Sequence, residues 1–114
     1  MATNEYHDFY CDEVLNGRTS VNVVLETENV LAFHHTRPYW EEHIVVIPKK
    51  HIESIITVQE EENVIMQEIF SVIQVVATEM NEKFGACTVS MNVGEYQTTK
   101  HMHWHVIYGK RIRD

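Results

Sequence analysis

The sequence predicts an α+β fold in which a five-stranded antiparallel sheet carries one long and one short helix. Five short segments rich in β-branched residues follow one another closely, apart from one interruption, and close succession favours antiparallel pairing. The interruption repeats apolar residues at the 3.6-residue period of a helix. The length of 114 residues suits a single domain spanning residues 1–114.

The N-terminal half of the chain contains the short helix and three strands. The helix is predicted at Phe9–Leu15, after which Asn16-Gly17 provides a stop signal. Glu28-Asn29 forms a natural turn between the first two strands, and Pro48 ends the third because it has no N–H to donate to a ladder. The predicted strands are VNVVLET at 21–27, VLAFHH at 30–35 and HIVVIP at 43–48.

The long helix is predicted to start at a capping box formed by Thr57 and Glu60 and to end at Gly85. The glutamates at 60–62 complement the positive end of the helix dipole. Phe70 and the methionines are expected in the core. The apolar residues that share one helical face are Ile65, Ile69, Val72, Ile73, Val76, Met80 and Phe84.

The last two strands are separated by a polar loop, GEYQTTK. They are ACTVSMNV at 86–93 and HMHWHVIYG at 101–109. In the second of these, histidines alternate with apolar residues, and successive side chains of a strand point to opposite faces. The pattern therefore predicts one face lined by His101, His103 and His105. The opposite face, formed by the apolar residues between them, would enter the core.

Three interpretations of the histidine face are open. Unrelated surface histidines are a poor explanation, because five consecutive positions obey the alternation. A single metal ion held by all three imidazoles is disfavoured, since His101 and His105 would lie about 13 Å apart along an extended strand. The third interpretation is nucleophilic and acid–base chemistry by the middle imidazole. A neutral histidine can attack phosphorus, and a charged one can stabilise phosphate oxygens.

Composition excludes several classes of partner. The formal net charge of −8 argues against binding nucleic acid through its phosphates, and the basic cluster KRIR at 110–113 is expected to be a solvated tail. No apolar run approaches the roughly 20 residues of a membrane helix, so no membrane is expected as a partner. The start, MATNEYHDFY, lacks the features of a secretion signal, and Cys11 and Cys87 are interpreted as small buried thiols. These features predict a cytoplasmic protein.

Three ordered blocks of the chain resemble the histidine triad (HIT) family of nucleotide hydrolases and transferases. HMHWHVI at 101–107 resembles that family's signature His-X-His-X-His-X-X, and AFHHTRPYWEEHIVVIPKKHI at 32–52 resembles its strand-turn-strand block. Asn92 and Gly94, followed by Gln97-Thr98, stand where the family has its phosphate-binding loop. The third triad histidine and the short length point to the histidine nucleotide-binding, nucleotide hydrolase branch.

The resemblance implies a function and an assembly. It implies a hydrolase that cleaves a phosphoramidate or related bond at the α-phosphate of a purine nucleoside monophosphate derivative, an AMP-like ligand. The reaction would pass through a covalent nucleotidyl-histidine intermediate and would require no cofactor. The family also implies a homodimer in which the five-stranded sheet continues from one subunit into the other.

The resemblance also implies a role for each site residue. His103 is the expected nucleophile, and a backbone carbonyl near His101 is expected to select its tautomer. His105 would donate to a phosphate oxygen, and His43 would support the site from the neighbouring strand. The expected nucleotide-binding residues are Phe33, His34, His35, Asn92, Gly94, Gln97 and Thr98.

Two departures from the family keep alternatives open. His35 stands where the family commonly has an aspartate that binds the ribose hydroxyls, which leaves a nucleotide-binding or sensing module with residual activity as a second hypothesis. Some members hold a structural zinc with two cysteines and two histidines. This chain retains Cys11, His51 and His101 but has Asp8 in place of the first cysteine, so a zinc-binding metalloprotein is a third and less favoured hypothesis.

Overall fold

The computed structural model describes residues 8–114, so most of the segment used above to predict the absence of a secretion signal lies outside the described residues. The strands are β1 Val23–Glu26, β2 Val30–His34, β3 Trp40–Pro48, β4 Thr88–Met91 and β5 Trp104–Arg111, and the long helix is α1 Asn63–Phe84. The sheet has the order β1-β2-β3-β5-β4, and every neighbouring pair is antiparallel. The predicted α+β class with five antiparallel strands is confirmed.

The short helix lies where the sequence predicts it but is a π-helical turn, Tyr10–Val14. The N–H of Leu15 donates to the carbonyl oxygen of Tyr10 at 2.7 Å, which is the i→i+5 spacing of a π turn. The Asp8 carboxylate accepts hydrogen bonds from the N–H groups of Tyr10 and Cys11, both at 3.0 Å. Asp8 therefore satisfies backbone donors that the first turn leaves free.

The start of α1 differs from the prediction, and the Thr57–Glu60 capping box is wrong. Thr57 instead caps against Ser54, while the Glu62 carboxylate accepts from the N–H of Gln59 at 2.8 Å. Between these two short turns Val58 has extended backbone and packs against the core, so Thr57 and Glu60 do not share a helical turn. The three-residue spacing recurs along this segment, and the pairs that form are Ser54–Thr57 and Gln59–Glu62.

The apolar face of α1 packs on the sheet as predicted, with Ile69, Val72, Ile73, Val76 and Met80 buried and Ile65 and Phe84 half-buried. The expectation that Phe70 is a core residue is wrong, because its side chain is 62% exposed. Phe70 follows Ile69 and is rotated about 100° around the helix from it, away from the buried stripe. Gly85 ends the helix with φ +90°, as expected for a left-handed cap.

Alternation along the strands gives the sheet two different faces. One face packs against α1 through a cluster that includes Ala32, Val46 and Val106. The other face packs against the π-helical turn through Leu31, Phe33, Val45, Ile47, Tyr10 and Val14. Val45 pairs with Phe33 on one side and with His105 on the other. Paired residues of neighbouring strands point to the same face, so the side chain of His105 lies on the second face.

The strand that carries the histidines begins later than predicted. β5 enters the ladder at Trp104, which pairs with Val46, so His101 and His103 precede the ladder. The β3–β5 pairing stops there although β3 continues to Pro48, and the N–H of Met102 bonds instead to the carbonyl of Ile52 at 2.6 Å. The alternation nevertheless persists, since the intervening apolar residues Met102, Trp104 and Val106 all join the core against α1.

Two further expectations concern thiols and membranes. Cys11 and Cys87 are free, and both are half-buried rather than fully buried. Across residues 8–114, no helix combines the length and the apolar character that crossing a membrane requires.

Replacing Val76 with alanine tests the packing of α1. Val76 is 1% exposed in the core, whereas the neighbouring Val75 is 46% exposed. We expect Val76→Ala to lower the free energy of unfolding by about 2 kcal/mol, from lost burial and the cavity left behind. Val75→Ala is the matched control, and urea titration measures both. Equal losses would contradict the assigned helix face.

Candidate active site

An open cleft of about 750 Å³ lies on the sheet face opposite α1. Its floor is formed by the side chains of Phe33, His43, Ser90, His105 and Ile107, which come from β2, β3, β4 and β5. Tyr10 covers the inner end of this floor, with its ring 6.1 Å from Phe33 and 5.1 Å from His103. The cleft therefore exists because the period of two places imidazoles and apolar side chains of four strands on the same face.

The middle histidine of the triad is held by a backbone carbonyl. Nδ1 of His103 lies 2.7 Å from the carbonyl oxygen of His101. A carbonyl can only accept, so Nδ1 carries the proton and Nε2 of the neutral ring keeps a free lone pair. The residue is 6% exposed and lines the cleft, so Nε2 is the ring nitrogen that remains for a substrate.

The third histidine has the opposite tautomer. The N–H of Tyr39 donates to Nδ1 of His43 at 3.1 Å, so the proton of neutral His43 is on Nε2. That Nε2–H lies 2.9 Å from Nδ1 of His105 and donates to it. The proton of neutral His105 is therefore on its Nε2. The adjacent rings, 5.1 Å apart between centroids, leave a lone pair on His103 and an N–H on His105 for a substrate.

Burial keeps these imidazoles neutral near pH 7. Desolvation, with a smaller contribution from neighbouring imidazoles, lowers the pKa of His43 to about 3 and that of His105 to about 4. Desolvation also lowers the pKa of His103, although the hydrogen bond to the carbonyl of His101 opposes this. Only a neutral imidazole has one protonated and one unprotonated ring nitrogen. Burial therefore preserves the lone pair on Nε2 of His103 and the N–H on Nε2 of His105.

His35 occupies the cleft beside His43, with 4.4 Å between ring centroids. Its Nδ1 accepts a hydrogen bond from the N–H of Arg37 at 3.0 Å, which places the proton of the neutral ring on Nε2. Burial lowers the pKa of His35 to about 4, and the positive charge of Arg113 acts in the same direction. His35 can thus donate one hydrogen bond in the cleft, where a carboxylate would accept two.

The structure brings seven of the eleven predicted site residues to the cleft: Phe33, His35, His43, Asn92, Thr98, His103 and His105. His34 is exposed and, by alternation after Phe33, points away from the cleft face. Gln97 is buried, and its side-chain amide donates to the carbonyl of Glu53 at 2.6 Å, so it anchors the loop. Gly94 begins a tight turn with φ +70° and does not line the cleft.

Several cleft residues were missed from the sequence. Ser90 is opposite His105 in the β4–β5 ladder, and only the register reveals it. The expectation of a solvated tail at 110–113 is wrong in part, since Lys110 and Arg111 are exposed but belong to β5, and Arg113 is half-buried over the ring of Tyr39. Aromatic residues at 39–40 are the signal that could have suggested stacking for these arginines.

His101 lies outside the cleft, in a cluster with Asp8, Cys11 and His51, whose ligand atoms are all within 4.8 Å of one another. Oδ2 of Asp8 is 2.6 Å from Nδ1 of His51 and 2.9 Å from Nδ1 of His101. Nε2 of His101 donates to the carbonyl of Pro48 at 2.8 Å, which turns Nδ1 toward the cluster. The donor set of one thiol, two imidazoles and one carboxylate fits a tetrahedral zinc ion, with the Pro48 carbonyl orienting one ligand.

Charges within the cluster depend on Asp8. Desolvation opposes ionisation of its carboxyl group, but the N–H of Cys11 and the ring of His101 outweigh this and lower the pKa to about 2. Desolvation, followed by the Asp8 charge, raises the pKa of the Cys11 thiol to about 12. A metal ion binding here would therefore have to displace the thiol proton.

The chain is similar in sequence and in fold to proteins of one known domain family. Residues 16–112 match the sequence model of the HIT domain. The solved structure of a histidine triad protein from Clostridium difficile is 32% identical, with a TM-score of 0.77 over 100% of this chain and 98% of that one. A HIT family hydrolase from Legionella pneumophila Philadelphia 1 is 27% identical, with a TM-score of 0.79 over 93% of this chain and 96% of that one. A HIT-like protein of Methanocaldococcus jannaschii is 31% identical over 97 residues, which are 83% of this chain and 74% of that protein.

Acid should weaken the fold through the buried imidazoles. The pKa values of His35, His43 and His105 lie at about 3 to 4, below the ordinary value of 6.5. Their contribution to stability is complete above pH 6.5 and is lost as pH falls toward 4, because the unfolded chain then binds more protons. We expect urea titrations to show the free energy of unfolding declining over this range. The decline should be smaller in His105→Gln, and a flat profile in the parent chain would contradict the assignment.

Proposed function

Because the chain belongs to the histidine triad (HIT) family, we propose that it is a nucleotide hydrolase acting at the α-phosphate of a purine nucleoside monophosphate derivative. The bond broken is a phosphoramidate or a related bond. The observation that carries this proposal is the pair of opposite tautomers in one cleft, a lone pair on Nε2 of His103 beside an N–H on Nε2 of His105. The names of two neighbours support it, a hydrolase of Legionella pneumophila and a hypothetical histidine triad nucleotide-binding protein of Sulfolobus tokodaii.

The proposed reaction has two displacements. Nε2 of His103 attacks the α-phosphorus, the P–N bond to the leaving group breaks, and the departing amine takes up a proton from solvent in the open cleft. The ring then carries a positive charge, which the carbonyl oxygen of His101 stabilises through Nδ1–H at 2.7 Å. Nε2–H of His105 donates to a non-bridging phosphate oxygen. Water then attacks phosphorus, the His103–phosphorus bond breaks and the water gives a proton to solvent, so the nucleoside monophosphate leaves and the imidazole is neutral again.

The remaining cleft residues suit the nucleotide itself. Phe33 is 1% exposed and forms an apolar part of the floor, which suits a nucleobase or sugar face. His35 would donate to a ribose hydroxyl, and Asn92 and Thr98 are exposed at the rim, where they offer donors to phosphate. In this proposal Gln97 and Gly94 shape the loop that carries Asn92 and Thr98, rather than binding the nucleotide directly.

A homodimer with a continuous sheet remains part of the proposal. β4 is an edge strand with Val89 41% exposed, and Phe70 and Val64 are exposed on α1. An unpaired edge and exposed apolar side chains are features that pairing with a second copy would cover. A cytoplasmic location fits the two free thiols, Cys11 and Cys87.

Replacing the nucleophile is the direct test of the hydrolase. Adenosine phosphoramidate is incubated with the parent chain and with His103→Ala, and release of AMP is followed by chromatography. We expect the variant to lose at least about a thousandfold in turnover, as nucleophile removal does in other covalent mechanisms. His34→Ala is the matched control, because His34 is exposed outside the cleft. Equal turnover by the parent and His103→Ala would remove the mechanism.

A binding or sensing module with residual activity is the alternative that His35 favours, since it replaces a two-acceptor carboxylate. Rapid acid quench followed by mass spectrometry distinguishes the two functions. The hydrolase predicts a nucleotidyl adduct that is present in the parent chain and missing from His103→Ala. AMP binding by calorimetry without any adduct would favour the module.

A structural zinc is the second candidate, because Asp8 completes the cluster that Cys11, His51 and His101 begin. All four positions would be taken by the protein, so the ion would join the π-helical turn to the segments after β3 and before β5, without touching substrate. We expect protein made without a His-tag to contain stoichiometric zinc by elemental analysis. Cys11→Ser should lose the metal and lower Tm, while Cys87→Ser should change neither. Absence of metal from the parent protein would leave the cluster as a hydrogen-bonded group.

A further inference from the structure

The chain after β5 is held over the mouth of the cleft by specific contacts. The guanidinium carbon of Arg113 lies 3.8 Å from the centroid of the Tyr39 ring, and Nη2 donates to the carbonyl of Arg37 at 2.6 Å. The backbone carbonyl of Arg113 in turn accepts from Nε of Arg111 at 2.8 Å. Both the side chain and the backbone of Arg113 are therefore fixed, and a stacked guanidinium loses little further freedom when it binds a ligand.

The cleft mouth is positively charged on a strongly acidic chain. Three lining residues carry a permanent positive charge, Arg37, Arg111 and Arg113, against one carboxylate side chain, Asp114. The formal net charge of the chain is −8, so this grouping runs against the overall composition. A cleft lined by one sign of charge concentrates ligands of the opposite sign.

Arg113 also has a donor that no protein group uses. Within residues 8–114, its Nε is a buried side-chain nitrogen without a hydrogen-bond partner. Buried donors are nearly always satisfied, and a charged one left unpaired is especially unfavourable. This nitrogen is closed to solvent, so a ligand oxygen in the cleft would approach Nη1, the guanidinium nitrogen that is neither buried nor bonded to the described protein groups.

The same guanidinium is close enough to the imidazoles to influence them. Arg113 contributes to the lowered pKa of His35 and of His43, after the larger effect of burial. The positive charge of Arg113 therefore lies near His35, which is proposed to face the nucleotide, and near His43, which bonds to His105.

We infer that Arg113, with Arg37 and Arg111, forms an arginine subsite for an anionic group on the leaving group, either a phosphate or a carboxylate. Arg113 is then a specificity-determining residue, because it contacts the part of the substrate that departs. Guanidinium matches both anions through paired N–H donors. This inference rests on the proposed hydrolase, and the reacting bonds are unchanged: the His103–phosphorus bond forms and the P–N bond breaks, with Arg113 transferring no proton.

Three matched substrates test the subsite, each an adenosine phosphoramidate in which two carbons separate the amine nitrogen from a variable group. The leaving amines are ethanolamine, β-alanine and phosphoethanolamine, which differ only in a hydroxyl, a carboxylate or a phosphate. The readout is the ratio of kcat/KM for each anionic conjugate to kcat/KM for the ethanolamine conjugate, so general effects on catalysis cancel. We expect Arg113→Gln to lower this ratio by about 10- to 100-fold for the anion that the subsite takes, the effect of losing a charged hydrogen bond.

Matched variants separate charge from position. Arg18→Gln, exposed and outside the cleft, should keep the parent ratio. Arg113→Lys should recover part of it, because the charge returns without the paired donors. A larger loss for the phosphoethanolamine conjugate identifies phosphate as the ligand, and a larger loss for the β-alanine conjugate identifies carboxylate. An unchanged ratio in Arg113→Gln would overturn the subsite.

A binding measurement keeps the subsite distinct from the proposed hydrolysis. If the parent chain turns over none of the conjugates, the hydrolase fails, and calorimetric titration of the same conjugates then decides the subsite. The anionic conjugates should bind the parent chain about tenfold or more tightly than they bind Arg113→Gln. Equal binding to both proteins, or no binding to either, would overturn the inference.

Discussion

His101 connects the two parts of the site, because its backbone and its ring serve different neighbours. Its carbonyl oxygen accepts from Nδ1 of His103 at 2.7 Å, while its ring lies 2.9 Å from Asp8 and 2.8 Å from the carbonyl of Pro48. The ring is fully buried, so its position and that of the carbonyl change together. The orientation of the proposed nucleophile therefore depends on how the N-terminal turn docks behind it, although no residue of the Asp8 cluster other than His101 bonds to His103.

Backbone groups decide where the protons of the crowded imidazoles are placed. Four cleft histidines have their pKa values lowered by burial, and several suppress ionisation of one another. A neutral imidazole has two tautomers of similar energy, so a single hydrogen bond to a fixed partner is sufficient to select one. The carbonyl of His101 and the N–H groups of Tyr39 and Arg37 are such partners. Opposite tautomers on neighbouring rings thus follow from the backbone and require no acidic side chain in the cleft.

The apolar and histidine alternation near the C-terminus was the most informative pattern in the chain. It predicted which residues enter the core, and Met102, Trp104 and Val106 do so. It did not reveal that the ladder starts only at Trp104, because the N–H of Met102, two residues earlier, bonds to the distant carbonyl of Ile52 rather than to β3. The same limit applies to helix caps: the spacing at Thr57 and Glu60 was sufficient to suggest a cap, but extended backbone at Val58 and Gln59 separates the two residues.

Element type, strand order along the chain and the histidines that line the cleft could be predicted from residue pattern and from likeness to the HIT family. These properties depend on period and on neighbours within a few residues, which local sequence contains. The docking of Asp8 against His101 was suggested only by the zinc site of some family members, and the docking of Arg113 over Tyr39 was not predicted at all. Each of these contacts joins segments that are more than 70 residues apart in the sequence. Only the packing of the sheet brings the segments together, because electrostatic contacts depend on distance in space and not on distance along the chain.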